Sequence, residues 1–179
     1  MHPEPKTLLV TGPCRSGKSS CALEHAEHCG TRRLFIATAQ IFDQEMEARV
    51  KRHRAERDPS WTTIEEPLDP AAVIQEHQAT YDVILLDCIT LWLTNLLGQD
   101  MSDANILERV DELCTVLQQT PIHIIMVTNE TGWSIVPENP LARRFRDLAG
   151  FANQRLARAA EAVILTVAGL PLVIKESRS

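Results

Sequence analysis

Gly12, Gly17, Lys18 and Ser19 follow the spacing G-x-x-x-x-G-K-S, with Pro13, Cys14, Arg15 and Ser16 filling the interval. These residue types suit the holding of phosphate. The glycines allow backbone angles and close approach that a Cβ would block. Successive amides at the start of a helix make a partly positive cradle for phosphate oxygens. In such a loop Lys18 reaches the β- and γ-phosphates and the Ser19 hydroxyl ligates Mg²⁺. Residues 12–19 are therefore expected to bind a nucleotide, with Lys18 acting on the phosphate in transfer. Asp87 closes an apolar run and is expected on the magnesium side with Ser19; the other reading is an N-cap for the segment that follows. Glu130 ends another such run, where a catalytic acid or base and a capping carboxylate read alike.

His53 stands apart among the six histidines because Arg49, Lys51, Arg52, Arg54 and Arg57 crowd around it in sequence. Neighbouring cations disfavour the imidazolium, leaving a neutral nucleophile near pH 7. The same cations attract nucleotide phosphates and offset charge that builds during transfer. The other reading is an ordinary core or interface histidine. Of the rest, His123 is expected to be packed in a strand.

The elements that must position these groups follow from periodicity. Apolar runs predict strands over residues 7–10, 34–38, 81–87, 122–127, 162–167 and 171–175. Helices are predicted over 18–29, 43–57, 70–78, 103–120 and 141–160, with Gly30 stopping the first. Phe42, Met46, Val50 and His53 mark an inward stripe on the second helix, and Ile106, Val110, Leu113 and Leu117 one on the fourth. The arginines of 141–160 read as a solvated face, although Arg144 and Arg146 are placed to reach a phosphate or a neighbouring subunit. Residues 58–70, with Pro59, Pro67 and Pro70, read as loop containing Trp61, Glu65 and Glu66. Strands alternating with helices predict an α/β fold of the P-loop NTPase type, a mainly parallel sheet with helices on both faces. In such sheets chemistry gathers at the carboxyl ends of the strands. Residues 12–19, Thr38-Ala39-Gln40, Asp87 and Thr128-Asn129-Glu130 all follow predicted strands directly. Residues 1–179 are expected to form one domain, with 1–6 as a flexible tail.

Composition narrows the class. A net charge of −6 argues against a general nucleic-acid surface but leaves room for a local basic pocket. Five cysteines without a C-x-x-C pair suit a reducing compartment better than a disulfide framework or zinc site. No run approaches the ~18 apolar residues of a membrane span, and the first residues lack a signal-peptide pattern. A cytoplasmic protein is expected.

Read together, the motifs resemble one family. They are residues 12–19, Ile36-Ala37-Thr38-Ala39, Asp43 to Val50, His53-Arg54, and Trp61, Thr63 and Glu65. Leu86 to Asn95, Val127-Thr128-Asn129-Glu130 with Gly132, residues 135–139, Arg144 to Gly150, and Asn153-Gln154 complete the set. They are similar to the bifunctional adenosylcobinamide kinase / adenosylcobinamide-phosphate guanylyltransferase family, from about residue 8 to the end. The resemblance implies two reactions. A nucleoside triphosphate, ATP or GTP, phosphorylates the aminopropanol hydroxyl of adenosylcobinamide. GTP then guanylylates a histidine, here His53, and the GMP passes to adenosylcobinamide phosphate. Nucleotide contacts implied by the family fall on Gly12, Pro13, Cys14, Arg15, Ser16, Gly17, Lys18, Ser19, Ala37, Thr38, Ala39, Arg54, Ala55, Glu56, Arg57, Glu65 and Asp87. A homotrimer with sites shared between subunits is also implied. The chain departs from the pattern at Pro13-Cys14, where Gly-Ala is commoner, and Pro13 removes one amide from the cradle. Arg52 stands where some members carry a second histidine, and Asp87 where some carry glutamate. Two other functions fit the phosphate loop alone: a small-molecule kinase with a structural His53, and a nucleotide-sensing binding module.

Overall fold

Apolar residues without polar alternation form the middle of one seven-stranded sheet, because their strands are covered on both faces. The computed structural model describes residues 5–41, 43–55 and 57–176, without the side chains of Glu45, Met46, Arg49, Arg52, His53 and Ala55. The chain runs β1 (Thr7–Thr11), α1 (Lys18–Cys29), β2 (Arg33–Ala37), α2 (Gln44–Ala55), β3 (Trp61–Glu65), α3 (Pro70–His77) and β4 (Val83–Asp87). It continues with α4 (Ile89–Leu97), α5 (Asp103–Gln119), β5 (His123–Val127), a 3-10 turn (Thr131–Trp133), α6 (Pro140–Ala159), β6 (Ala162–Val167) and β7 (Leu170–Lys175). The strand order is β3-β2-β4-β5-β1-β6-β7, and only β7 is antiparallel.

Side-chain alternation sorts the core into two layers. Leu9, Leu34, Ile36, Ile84, Leu86, Ile124 and Met126 face the layer built by α3, α4, α5 and α6. Leu8, Val10, Phe35, Val83, Leu85, Ile125 and Val127 face Ala22 and Ala26 of α1. Truncating one of these fully buried leucines or isoleucines to alanine costs about 2–5 kcal/mol. The stripe predicted on α5 is buried as expected. On α2, Phe42 and the side chains of Met46 and His53 lie outside the described residues, while Val50 is half-buried. Asn139 caps α6 by accepting from the amides of Leu141 and Ala142. Lys175 of β7 closes its other end on the carbonyls of Ala157, Arg158 and Ala160.

Two expectations are corrected. Residues 58–70 hold a strand, β3, not an uninterrupted loop. Its prolines lie outside it, at 59 and 67, and Trp61 secures the edge by packing edge-on against Phe35 at 6.2 Å. Gly30 ends α1 as expected, in extended backbone at φ 169°. It is needed for close approach, since a Cβ there would lie 2.4 Å from the Cβ of Asp82. The arginines of α6 are straps more than a solvated face. Arg144 holds Asp103 and the Met101 carbonyl, Arg155 holds Asp111 and the Leu107 carbonyl, and Arg146 holds the Gly132 carbonyl.

His123 is half-buried and its Nδ1 donates to the Pro5 carbonyl, a structural bond at the start of β5. Lys6 is likewise tied, its amide donating to Glu161 and its carbonyl accepting from Ile124.

Asp82 joins the start of β4 to the turn after α1. Its carboxylate accepts from the Arg32 guanidinium and from the amides of Arg32 and Thr31. The Arg32 bond is the largest cause of its lowered pKa, about 2 against an ordinary 3.8. A folded-state pKa below the unfolded value means stabilisation that is complete above about 3.8 and lost as pH falls toward about 2. Acid unfolding followed by circular dichroism is expected to be less steep over that window in Asp82→Asn than in the parent.

Candidate nucleotide and phosphate-transfer site

Because β1 to β6 are parallel, the groups that follow them meet at one sheet edge. The loop after β1 is bent by its two glycines, Gly12 at φ 151° and Gly17 at φ 96°, with Arg15 also at positive φ. A Cβ on Gly12 would lie 2.4 Å from the Thr166 carbonyl oxygen, so the loop seats against β6 only with glycine there. The two-residue turn Ala168-Gly169, both at positive φ, brings the β6–β7 hairpin onto the loop. The Gly169 amide donates to the Ser16 carbonyl at 3.0 Å, and the Ser16 and Thr166 hydroxyls pair at 2.7 Å. Gly17 precedes α1 without a side-chain cap, which leaves the helix start available to an anion.

Lys18 is buried, and its ammonium donates to the Pro13 carbonyl at 2.6 Å and the Ser16 hydroxyl at 3.5 Å. Pro13 thus gives the loop an acceptor for Lys18 although it lacks an amide. Cys14 and Arg15 are exposed. The Ser19 hydroxyl donates to Asp87 Oδ2 at 3.3 Å across the sheet edge. The N-cap of α4 is Cys88, so Asp87 is not spent on capping that helix. A loop hydroxyl paired with one carboxylate fits Mg²⁺, which takes one or two protein oxygens and completes its shell with phosphate and water. No cluster of three metal-ligating side chains occurs among the described residues.

Ala37 pairs with Asp87 on one side and Glu65 on the other, so those two carboxylates flank Ala37 on one sheet face. Thr38 anchors this end of the sheet. It is fully buried, its hydroxyl donates to the Cys88 carbonyl and accepts from the Cys88 amide, and its carbonyl accepts from Asn95. It clamps the end of β2 to the turn after Asp87, whose 87–88 peptide is cis. Ala39 follows it, half-buried.

Two residues along β3 from Glu65, on the same face, come Thr63 and then Trp61. With Arg54, Arg57, Asp58 and Pro59 they line a cavity of about 260 Å³. The Arg57 guanidinium lies 3.6 Å over the Phe35 ring, and Arg54 is exposed. Trp61 Nε1 is buried without a hydrogen-bond partner among the described residues, an N–H a ligand would satisfy. His53 lies on α2, which ends at Ala55 beside this cavity in sequence; its side chain, that of Ala55, and Glu56 lie outside the described residues. Sequence reading missed the cavity-lining role of Trp61 and Thr63. The signal available was the alternation Trp61, Thr63, Glu65, hidden by the flanking prolines. It also missed Thr166 and Gly169, for which no local signal exists.

On the other side of the loop, Glu130 accepts from Thr11 Oγ1 at 2.7 Å and Asn153 Nδ2 at 3.1 Å, both on Oε1. A larger cavity between α3 and α5, about 320 Å³, is lined by Arg109, which Asp69 and Glu112 already hold.

A glycine loop, a buried lysine and a serine–aspartate pair at the carboxyl edge of a parallel sheet define a P-loop nucleotide-binding protein. Solved structures agree on the fold. A KaiC-like protein from Pyrococcus horikoshii superposes with a TM-score of 0.53 at 16% identity, covering 91% of this chain and 71% of that one. Another Pyrococcus horikoshii protein gives 0.59 at 10% identity, covering 97% and 88%. Residues 8–174 match the model of the family described as cobinamide kinase / cobinamide phosphate guanyltransferase, and the chain belongs to that family. The bifunctional adenosylcobalamin biosynthesis protein CobP of Pseudomonas aeruginosa is 44% identical, over 93% of this chain and 96% of its own length. CobU of Salmonella typhimurium is 43% identical, over 94% and 99%.

Proposed function

We propose that the chain, as one catalytic domain, phosphorylates adenosylcobinamide with a nucleoside triphosphate and then transfers GMP from GTP to the resulting phosphate. Family membership supports the pair of activities. The observation that carries the site assignment is one continuous face: Ser19 and Asp87, then Ala37 and Glu65, then Thr63, Trp61, Arg54 and Arg57. It offers one phosphate-holding region at the loop and a second, basic one over β3.

In the kinase step Lys18 exchanges its Pro13 contact for phosphate oxygens, and the loop amides hold the charge. Ser19 and Asp87 would hold Mg²⁺, which would neutralise phosphate charge. In the second step the His53 imidazole attacks the α-phosphorus of GTP. A P–N bond forms, the bond to the β-phosphate oxygen breaks, and pyrophosphate leaves. A phosphate oxygen of adenosylcobinamide phosphate then displaces the histidine, giving adenosyl-GDP-cobinamide. Arg54, Arg57 and Glu65 contact the guanylyl donor, in keeping with the basic cavity over β3.

Incubation with α-labelled GTP is expected to put acid-labile, alkali-stable label on the protein, released on adding adenosylcobinamide phosphate. A simple kinase would transfer phosphate with no covalent nucleotide, and a sensing module would bind GTP without releasing pyrophosphate; either result would overturn the proposal.

We also assign a homotrimer in the cytoplasm. The β7 edge exposes Leu170, Leu172, Val173 and Ile174, an apolar edge strand of the kind a subunit contact covers. The five cysteines are free thiols, and no helix among the described residues is long and apolar enough to cross a membrane. The expected species is a trimer in the soluble cell fraction by sedimentation; a monomer, or recovery with membranes, would overturn these assignments.

A further inference from the structure

Glu130 takes no part in the steps above, yet it is built into the loop that would hold the phosphoryl donor. Strand β5 lies between β1 and β4, so the residues following it emerge between the phosphate loop and Asp87. The Glu130 amide donates to the Gly12 carbonyl at 3.0 Å, which ties its backbone to the first residue of the loop. Its Oε1 accepts from Thr11 at the end of β1 and from Asn153 of α6. Asn153 is itself fixed, accepting from the Thr128 hydroxyl at 2.7 Å and donating to the Asn129 carbonyl at 3.0 Å. One carboxylate oxygen is thereby held from two sides. Oε2 accepts no hydrogen bond among the described residues, and the side chain is half-buried, not sealed in the core.

A purely structural acceptor at this place would be better neutral. Glutamine offers the same Oε1 to Thr11 and Asn153, whereas a carboxylate beside a loop that receives a triphosphate adds like-charge repulsion. The charge makes sense where it is used to take a proton. We propose that Glu130 is the general base of the kinase step, an inference that rests on the phosphate loop holding the phosphoryl donor. The proton of the substrate hydroxyl passes to Oε2 as the hydroxyl oxygen bonds to the γ-phosphorus. The bond from that phosphorus to the β–γ bridging oxygen breaks, and the nucleoside diphosphate leaves with the electron pair. Glu130 then releases its proton to water.

The two activities of the family supply an internal control. In Glu130→Gln, with Oε1 still available to Thr11 and Asn153, kinase kcat is expected to fall on the order of 10²–10⁴-fold. The KM for adenosylcobinamide stays within about twofold, the acidic limb of the kcat–pH profile disappears, and labelling by α-labelled GTP persists. Glu130→Asp, which keeps a carboxylate, restores the acidic limb. Unchanged kinase turnover in Glu130→Gln overturns the assignment. So does an equal fall in both half-reactions with a lowered melting temperature, which would make Glu130 a structural tie only. Lys18→Ala, run alongside, separates this from failure of the underlying reading: a Lys18 variant with full kinase activity would show that the loop does not hold the donor.

Discussion

Replacing His53 by alanine is expected to abolish protein-bound GMP and lower guanylyl transfer on the order of 10⁴-fold or more, the scale seen when a covalent nucleophile is removed. The kinase half-reaction is expected to stay near the parent rate, because the phosphate loop lies on β1 and α1 while His53 lies on α2. Alanine is a strong helix former, so the backbone of α2 is expected to persist in the variant. The measurement is a pair of assays on one preparation: α-labelled GTP for the covalent intermediate, and γ-labelled donor with adenosylcobinamide for the kinase. Glycine at 53 with added imidazole gives a sharper version. Free imidazole should restore pyrophosphate release without restoring label on the chain. Label that survives in His53→Ala would place the nucleophile elsewhere, and a parallel loss of kinase activity would mean that α2 shapes the loop.

Lys18→Ala is the second large effect, expected to lower kinase kcat by about 10²–10³-fold, the typical cost of losing one aligned charge donor. Lys18 is 7% exposed, and its ammonium already sits inside the loop on the Pro13 carbonyl. The ammonium is therefore already inside the loop before any nucleotide arrives and has only to exchange the Pro13 carbonyl for phosphate oxygens. The loop should survive the change, because Ser16 remains paired with Thr166 and Gly169 and the Gly12 carbonyl with Glu130. Losing the Pro13 bond costs about 1–3 kcal/mol of stability, as for a hydrogen bond from a charged donor. Arginine should not rescue, since a broad planar guanidinium replaces a compact point charge in a buried slot. Steady-state kinetics with calorimetric nucleotide titration checks both parts. Full turnover in the alanine variant would remove Lys18 from the mechanism.

Asp87 and Glu130 show how a site divides between what is local and what is not. The sequence left each open between chemistry and helix capping. In the fold Cys88 is the N-cap of α4 and the Asp87 carboxylate takes the Ser19 bond, which supports the magnesium-side role proposed for it. For Glu130 the contacts come from Thr11 and Asn153, residues 119 and 23 positions away. Thr38, expected among the nucleotide contacts, also serves the fold: its hydroxyl is bonded in both directions to Cys88.

By itself the sequence determined the phosphate loop, the buried strands, the inward stripe of α5 and the parallel architecture. Each depends on backbone freedom at a few glycines or on a burial period that repeats within a dozen residues, so it is written locally. The tertiary structure alone decided the rest. It showed β3, a five-residue edge strand whose alternation the flanking prolines hide and which is defined by its pairing with β2 and the Trp61–Phe35 contact. It placed the β6–β7 turn on the phosphate loop, joined the α6 arginines to α5, and aligned Asp87, Ala37 and Glu65 in one row. Those features are pairings between distant segments, and parallel register sets them only once every strand has found its neighbour.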